Sequence, residues 1–126
     1  MPASPLDAAI GLHLDAYEDG AAVLRLTATA TANGSDDGTF LHGGALATCV
    51  DTAGWYAVVH ARPGTYVATA LSADFLRLAP PGVYRVLGRA LRAGRTLAVA
   101  DVTIEPWDEP GRTVAVGRVQ YVRTGD

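Results

Sequence analysis

The stretch Leu41–Val59, LHGGALATCVDTAGWYAVV, decides the fold of this chain. It opens on His42 and two glycines, then runs apolar and small, with Asp51 as its one charge. Leu46, Cys49, Val50, Ala53 and Ala57 form one stripe at helical spacing, while Ala45, Ala47, Trp55, Tyr56, Val58 and Val59 spread over the other sides. A helix that is apolar all round is buried all round. One sheet can surround only part of it, so the remainder is expected to lie against another molecule. The Gly43–Val59 run is too short, too rich in Gly and Ala, and interrupted by Asp51, to cross a bilayer.

On either side of this helix the pattern changes to strands. Ser4 is placed to cap a short helix in SPLDAAIGLH. A first strand over Leu12–Tyr17 runs into Asp19-Gly20, a hairpin signal. Ala22, Leu24, Leu26, Ala28 and Ala30 then alternate with Val23, Arg25, Thr27, Thr29 and Thr31, which predicts a strand reaching Thr31 with one buried and one wet face. The polar segment NGSDDGTF is a loop, and Arg62-Pro63-Gly64 stops the helix. Four segments follow between Pro- and Gly-rich turns: Thr65–Leu78, Val83–Leu91, Thr96–Trp107 and Arg112–Arg123. In the third, Ala98, Ala100, Val102 and Ile104 alternate with Val99, Asp101, Thr103 and Glu105. Short turns between long strands predict antiparallel pairing. The expected order is short helix, two strands, one long helix, then four strands or one fewer: a single α+β domain over 1–126. An amphipathic sheet has to cover its apolar face, and only the long helix can do so.

Composition narrows the function. The chain has 126 residues, 49% hydrophobic and 18% charged, with a net charge of −3, so one folded domain with a real core is expected. No basic block is present, which argues against a nucleic-acid partner. All ten basic residues are arginine, and without lysine there is no Schiff-base chemistry or lysine-held pyridoxal phosphate. A single cysteine, Cys49, excludes an internal disulfide and a cysteine-based zinc site; His13, His42 and His60 share no ligand spacing, so no metal is expected. MPASPLDAAIG lacks a basic start before an apolar run, so no signal peptide, no membrane partner and a cytoplasmic location are expected.

Asp51 is the anomaly. Asp is a poor residue in mid-helix, and among apolar neighbours it bears a desolvation cost that raises its pKa unless donors compensate. A purely structural Asp would bond a neighbour such as Thr48 or Thr52. The sequence beside it offers more: Gly43-Gly44 opens the helix, where unpaired N–H groups and the positive dipole end meet a ligand that glycine lets approach closely. Fixed donors of this kind suit a developing oxyanion. Gly43 and Asp51 are eight positions apart, about 12 Å along one helix axis, so a carbonyl held at the first is out of reach of the second. If both act on one thioester or ester, two antiparallel helices must each supply half of each site, which defines an isologous twofold dimer.

His42-Gly43-Gly44 followed by Asp51 resembles the hot-dog-fold acyl-CoA thioesterases of the phenylacetic-acid-degradation type, as do LSADFLRLAPPG, LRAGRTLAVADVTI and the terminal strand. The resemblance spans Leu12 to Arg123. It implies a curved antiparallel sheet wrapped around one long central helix, and assembly into homodimers and homotetramers. It implies thioester hydrolysis with Asp51 as nucleophile or general base, the Gly43 N–H polarising the carbonyl, coenzyme A bound as part of the substrate across a subunit interface, and no separate cofactor. Two positions depart from the family. Asp36 stands where Asn or Gln is usual, with Asn33 the nearest amide. Ala68 stands where Ser or Thr is usual, with Thr69 adjacent and sharing the apolar side with Leu71, Ala73 and Phe75.

Other candidates carry two readings each. His42 is a general acid, or it orders the helix start. Gly44 adds a second backbone donor. Trp55, one turn beyond Asp51, closes an acyl pocket or fills the core. Arg77, Arg92 and Arg95 are candidates for coenzyme A phosphates, Arg95 foremost because it follows Gly94 at a hairpin. Cys49 points elsewhere on the helix than Asp51 and reads as inert packing. A dehydratase would need a helix-borne His about five residues beyond the acid, a place held by Tyr56, with His60 nine residues on. The alternative from another class is a non-catalytic acyl-CoA-binding sensor, suggested by Asp36 and Ala68.

Overall fold

A computed structural model describes residues 4–126; Met1, Pro2 and Ala3, part of the stretch read for a leader and of the expected domain, lie outside the described residues. Helix α1, Pro5–Ile10, is a single short turn-and-a-half with a full capping box, in which the Ser4 hydroxyl accepts from the Asp7 N–H and the Asp7 carboxylate accepts from the Ser4 N–H. Gly11 closes it at φ 90°. Strands β1 (Leu12–Glu18) and β2 (Ala21–Thr27) form a hairpin whose turn residues Asp19 and Gly20 both have positive φ, 52° and 80°. That is the geometry the Asp-Gly pair announces.

Strand β2 stops four residues short of its expected end. The backbone N–H groups of Ala28 and Thr29 turn to Gly82 and Ile10, the Thr29 hydroxyl donates to the Ala9 carbonyl, and Ala30–Ala32 coil into a 3-10 turn. Alternation of Ala and Thr is a strand pattern only while a neighbouring strand takes up the hydrogen bonds. Here α1 and the loop before the next strand take them instead.

Helix α2 runs Gly43–Ala61, and four strands follow: β3 (Thr65–Phe75), β4 (Val83–Ala93), β5 (Leu97–Pro106) and β6 (Ala115–Gly125). All six strands join one antiparallel sheet in the order β1-β2-β4-β5-β6-β3, with β1 and β3 at the edges. The helix packs against β2, β3, β4, β5 and β6. Its approach is close because glycines stand at the contacts: a Cβ on Gly88 would lie 2.4 Å from the Ala53 carbonyl, and one on Gly117 would lie 2.6 Å from Val50. The core between sheet and helix is built from Leu24, Leu26, Val86, Val102 and Ile104 below and Leu46, Val50 and Ala53 above. Each fully buried Val, Leu or Ile contributes roughly 1.5–3 kcal/mol.

The sheet does not enclose the helix. Ala47, Thr48, Asp51, Thr52, Trp55 and Val59 are only half-buried and Gly44 is exposed, so one face of α2 stays open along its length. Edge strand β3 beside it is exposed on both faces, with Val67 at 53%, Leu71 at 41% and Phe75 at 52%. The open helix face thus lies next to an uncovered apolar edge.

Candidate active site

The helix start is organised by its own sequence. His42 is the N-cap, with extended backbone (φ −68°, ψ 135°), and its Nδ1 accepts from the Gly44 N–H at 2.8 Å. A Cβ on Gly44 would lie 2.9 Å from that nitrogen, so glycine there is what lets the ring fold back. The His42 carbonyl accepts from the N–H groups of Ala45 and Leu46. The Gly43 N–H makes no hydrogen bond within the described residues. The two backbone donors expected at Gly43-Gly44 therefore reduce to one: the Gly44 N–H is used internally, and Gly43 alone presents its N–H outward. The Phe75 ring lies over it, 3.3 Å from where a Gly43 Cβ would be.

Two turns along, Asp51 lies half-buried on the open face. Neither threonine beside it is its partner. The Thr48 hydroxyl donates to the Gly44 carbonyl at 3.0 Å, and the Thr52 hydroxyl donates to Asp7 Oδ1 at 2.6 Å. The group that reaches Asp51 is Tyr121 of β6, whose hydroxyl lies 2.5 Å from the Asp51 backbone carbonyl and 3.3 Å from Oδ1. Gly54 makes room for it: a Cβ there would stand 2.8 Å from the Tyr121 oxygen. Burial raises the Asp51 pKa above the ordinary carboxylate value, the Tyr121 hydrogen bond pulls the other way, and the charge of Asp7 adds to the rise. Burial, then the charge and hydrogen bond of Asp51, push the Tyr121 hydroxyl far up, so it stays a donor.

Sequence reading did not single out Tyr121, Asp7 or Gly54. The first two lie 70 and 45 residues from their partners, beyond any local pattern. Gly54 did carry a signal, since glycine inside a helix costs about 1 kcal/mol against alanine and calls for a packing reason.

Strand β3 corrects one expectation. Its pairing with β6 sets Ala68 opposite Tyr121 and Ala70 opposite Gln120, with a bulge between them. The bulged Thr69 pairs its hydroxyl with the Gln120 carbonyl and side-chain amide, each at 3.3 Å, on the face turned away from the helix. Leu71, Ala73 and Phe75 regain the helix face opposite Val119, Gly117 and Ala115. Thr69 thus does not share their side; the extra residue of the bulge shifts the alternation by one. Within one chain, Ala68 is the β3 residue paired with Tyr121.

The remaining candidates are scattered. Asp36 is exposed in the loop, and the carboxylate that organises this loop is its neighbour Asp37, held down at about 2 by the Ser35 hydroxyl and by Thr39. Asn33 bridges to Leu41 through the backbone. Trp55 packs against the core on one side, meets Tyr56 edge-on at 5.2 Å, and remains half-open on the other. Arg95 is exposed on the β4–β5 hairpin, three residues before Ala98, the cross-strand neighbour of Tyr121. Arg77 donates from Nε to the Thr113 carbonyl and lines a cleft of about 740 Å³ with Arg25, Tyr84, Trp107 and Arg112, which contains neither Gly43 nor Asp51. Cys49 is buried and its thiol is pushed up to about 12, chiefly by burial, so it is inert as a nucleophile at neutral pH. His60 stacks on Tyr17 at 3.9 Å. Among the described residues, no group of three or more His, Cys, Asp and Glu side chains could hold a metal ion, and no helix is long and apolar enough to cross a membrane.

A six-stranded antiparallel sheet laid on one long helix is the hot-dog arrangement, and here the helix start carries an open backbone donor with a half-buried carboxylate two turns on. The family comparison agrees: the thioesterase superfamily profile matches residues 38–122, and the chain belongs to that superfamily. No curated protein sequence matches it. Among solved structures, a Bordetella protein of the thioesterase superfamily is 30% identical with a TM-score of 0.86, over 96% of this chain and 90% of that one. The PaaI protein of the Escherichia coli phenylacetic acid degradation operon is 29% identical with a TM-score of 0.82, over 97% and 86%. The Pseudomonas aeruginosa conserved protein PA5202 is 25% identical with a TM-score of 0.82, over 97% and 95%. The resemblance drawn from HGG, Asp51 and the later strands holds, and the protein is a thioester hydrolase.

Proposed function

We propose that this protein hydrolyses acyl-CoA thioesters at two equivalent sites of a homodimer, each combining Asp51 of one chain with the Gly43 N–H of the other. The observation that carries the reading is the shared open face of α2. The one unused backbone donor and the one carboxylate both lie on it, about 12 Å apart along the axis, too far to serve one carbonyl. A second α2 running antiparallel over the first brings donor and carboxylate together twice and covers Trp55. The exposed edge strand β3 offers unpaired backbone groups and Val67, Leu71 and Phe75 to its counterpart. Pairing of two such dimers gives the homotetramer, and the reading places the protein in the cytoplasm.

In this arrangement the thioester oxygen accepts from the Gly43 N–H, at the positive end of the helix, where negative charge develops. Asp51, with its raised proton affinity, removes a proton from water as the oxygen of that water bonds to the carbonyl carbon. The C–S bond then breaks, the thiolate leaves, and it recovers a proton from solvent or from Asp51. Direct attack by Asp51 gives instead a mixed anhydride that water hydrolyses. Single-turnover reaction in labelled water separates the routes, since only the anhydride leaves label in Asp51. His42 orders the donor through its cap on Gly44.

The test is steady-state hydrolysis of short, long and aromatic acyl-CoAs by the native protein and by Asp51→Asn. Loss of turnover in the variant with binding retained supports the reading; equal rates overturn it. One observation favours the sensor alternative. Ala68, not a hydroxyl residue, lies opposite Tyr121. Binding without turnover in the native protein is the result that selects it.

A further inference from the structure

Among the described residues Asp7 is the one buried charged side chain, 6% exposed, and the hydrolysis proposed above makes no use of it. As part of a helix cap it needs only its contact with Ser4. Here one oxygen meets that need, accepting from the Ser4 hydroxyl at 2.7 Å. The other crosses to the long helix and accepts from Thr52 at 2.6 Å, at the residue directly after Asp51. Its partners are neutral, the Ser4 hydroxyl and N–H and the Thr52 hydroxyl, and no ion pair in the described residues includes Asp7. Burying a carboxylate without a cation is costly, and a cap alone gives no reason for it.

We propose that Asp7 is a positioning residue for Asp51, tying the turn that carries the reacting carboxylate to α1 and adding a second carboxylate to its surroundings. This inference rests on the hydrolytic reading above. Groups facing Asp51 from the packed elements are few. β6 supplies the Tyr121 hydroxyl, and α1 supplies Asp7. The helix-facing side chains of β2 and β5 are apolar, the Tyr84 hydroxyl of β4 is turned to the Pro80 carbonyl, and the Tyr66 hydroxyl of β3 is turned to the Arg62 carbonyl. On α2 itself Thr48 and Thr52 are bonded elsewhere, and Cys49 and Tyr56 are held protonated by burial first and by the Asp7 charge second. Among the described residues no cation pairs with Asp7 or Asp51, and the charge of Asp7 favours the form of Asp51 that keeps a proton.

The test is a carbon-13 carboxyl titration of Asp51, its signal assigned by loss in Asp51→Asn, beside the acidic limb of kcat/KM for thioester hydrolysis. Asp7→Asn keeps an acceptor for Thr52 and removes the charge. The expected result is a downward move of both midpoints by at least about 0.3 pH unit, as for loss of a like charge. A smaller move, an upward move, or a signal that moves while the kinetic limb stays overturns the proposal. Should Asp7→Asn fail to fold, the double change Asp7→Leu with Thr52→Val replaces the bonded pair by apolar groups and is judged by the same criterion. An active Asp51→Asn sinks the hydrolytic reading, whereas an inactive Asp51→Asn with unmoved midpoints in Asp7→Asn sinks only the role of Asp7.

Discussion

Gly43→Pro separates the backbone donor from everything else at the helix start. Gly43 is the first residue of α2, the helical position where proline is best tolerated, because the N–H it lacks has no partner within the helix. The preceding His42 has the extended backbone that a following proline requires. The Gly44 N–H and its bond to His42 Nδ1 are left in place. Proline at an unstrained position can raise stability by about 0.4–1 kcal/mol through the unfolded chain. Folding is thus preserved while one hydrogen bond to the oxyanion is removed. Loss of a single such donor costs about 2.7–4 kcal/mol in the transition state, a fall in kcat of about 10²–10³. The control is Gly43→Ala, which keeps the N–H and adds a methyl 3.3 Å from the half-exposed Phe75 ring, a group free to give way. It should stay within about tenfold of the native rate. Thioester turnover followed by thiol release, with thermal unfolding of all three proteins, measures both effects. Proline within about threefold of native, or alanine falling as far as proline, would refute the assignment of the donor.

Three further outcomes follow from the same geometry. Because burial raises the folded-state pKa of Asp51, the native state binds more protons than the unfolded chain just above the ordinary Asp value, and stability falls as pH rises through the folded pKa. Asp51→Asn should therefore unfold at a higher temperature than native protein at pH 8 and lose that advantage near pH 3.5, read by denaturation scans at both pH values. Tyr121→Phe removes the donor that lowers the Asp51 pKa, so the acidic limb of kcat/KM should move to higher pH, at a stability cost of about 1 kcal/mol. Thr52→Val orphans one oxygen of buried Asp7 and should cost about 1.5–3 kcal/mol in denaturant unfolding, against little change for Thr48→Val, whose hydroxyl only returns to its own helix.

How much of this was legible depended on whether the cause lay nearby in the chain. The helix over Gly43–Ala61, the Asp19-Gly20 hairpin and the alternation of β5 are local patterns, and each appears where the residues place it. The end of β2 was not legible, because whether Ala28–Thr31 continue a strand depends on Ile10 and Gly82 taking the hydrogen bonds. The same limit applies to Thr69. Side-chain alternation puts it on the helix face, and a bulge set by pairing with β6 takes it off. At the site, the glycines and Asp51 were visible as residues that a helix of this kind has no use for. Two features were hidden by distance: the donor to Asp51 comes from Tyr121, and a second buried carboxylate stands one residue away on Thr52. Gly44 shows that a correct motif can still mislead in detail, since its N–H is taken by the histidine beside it.

Complementation between two silent variants bears most directly on a shared site. Asp51→Asn and Gly43→Pro chains are prepared separately and then refolded as an equal mixture. Random pairing makes half the dimers mixed, and each mixed dimer has one site with both defects and one with neither, so thioester hydrolysis should recover to about a quarter of the native rate. A mixture no more active than the two variants measured alone would mean that each chain works by itself, and the division of donor and carboxylate between protomers would be wrong.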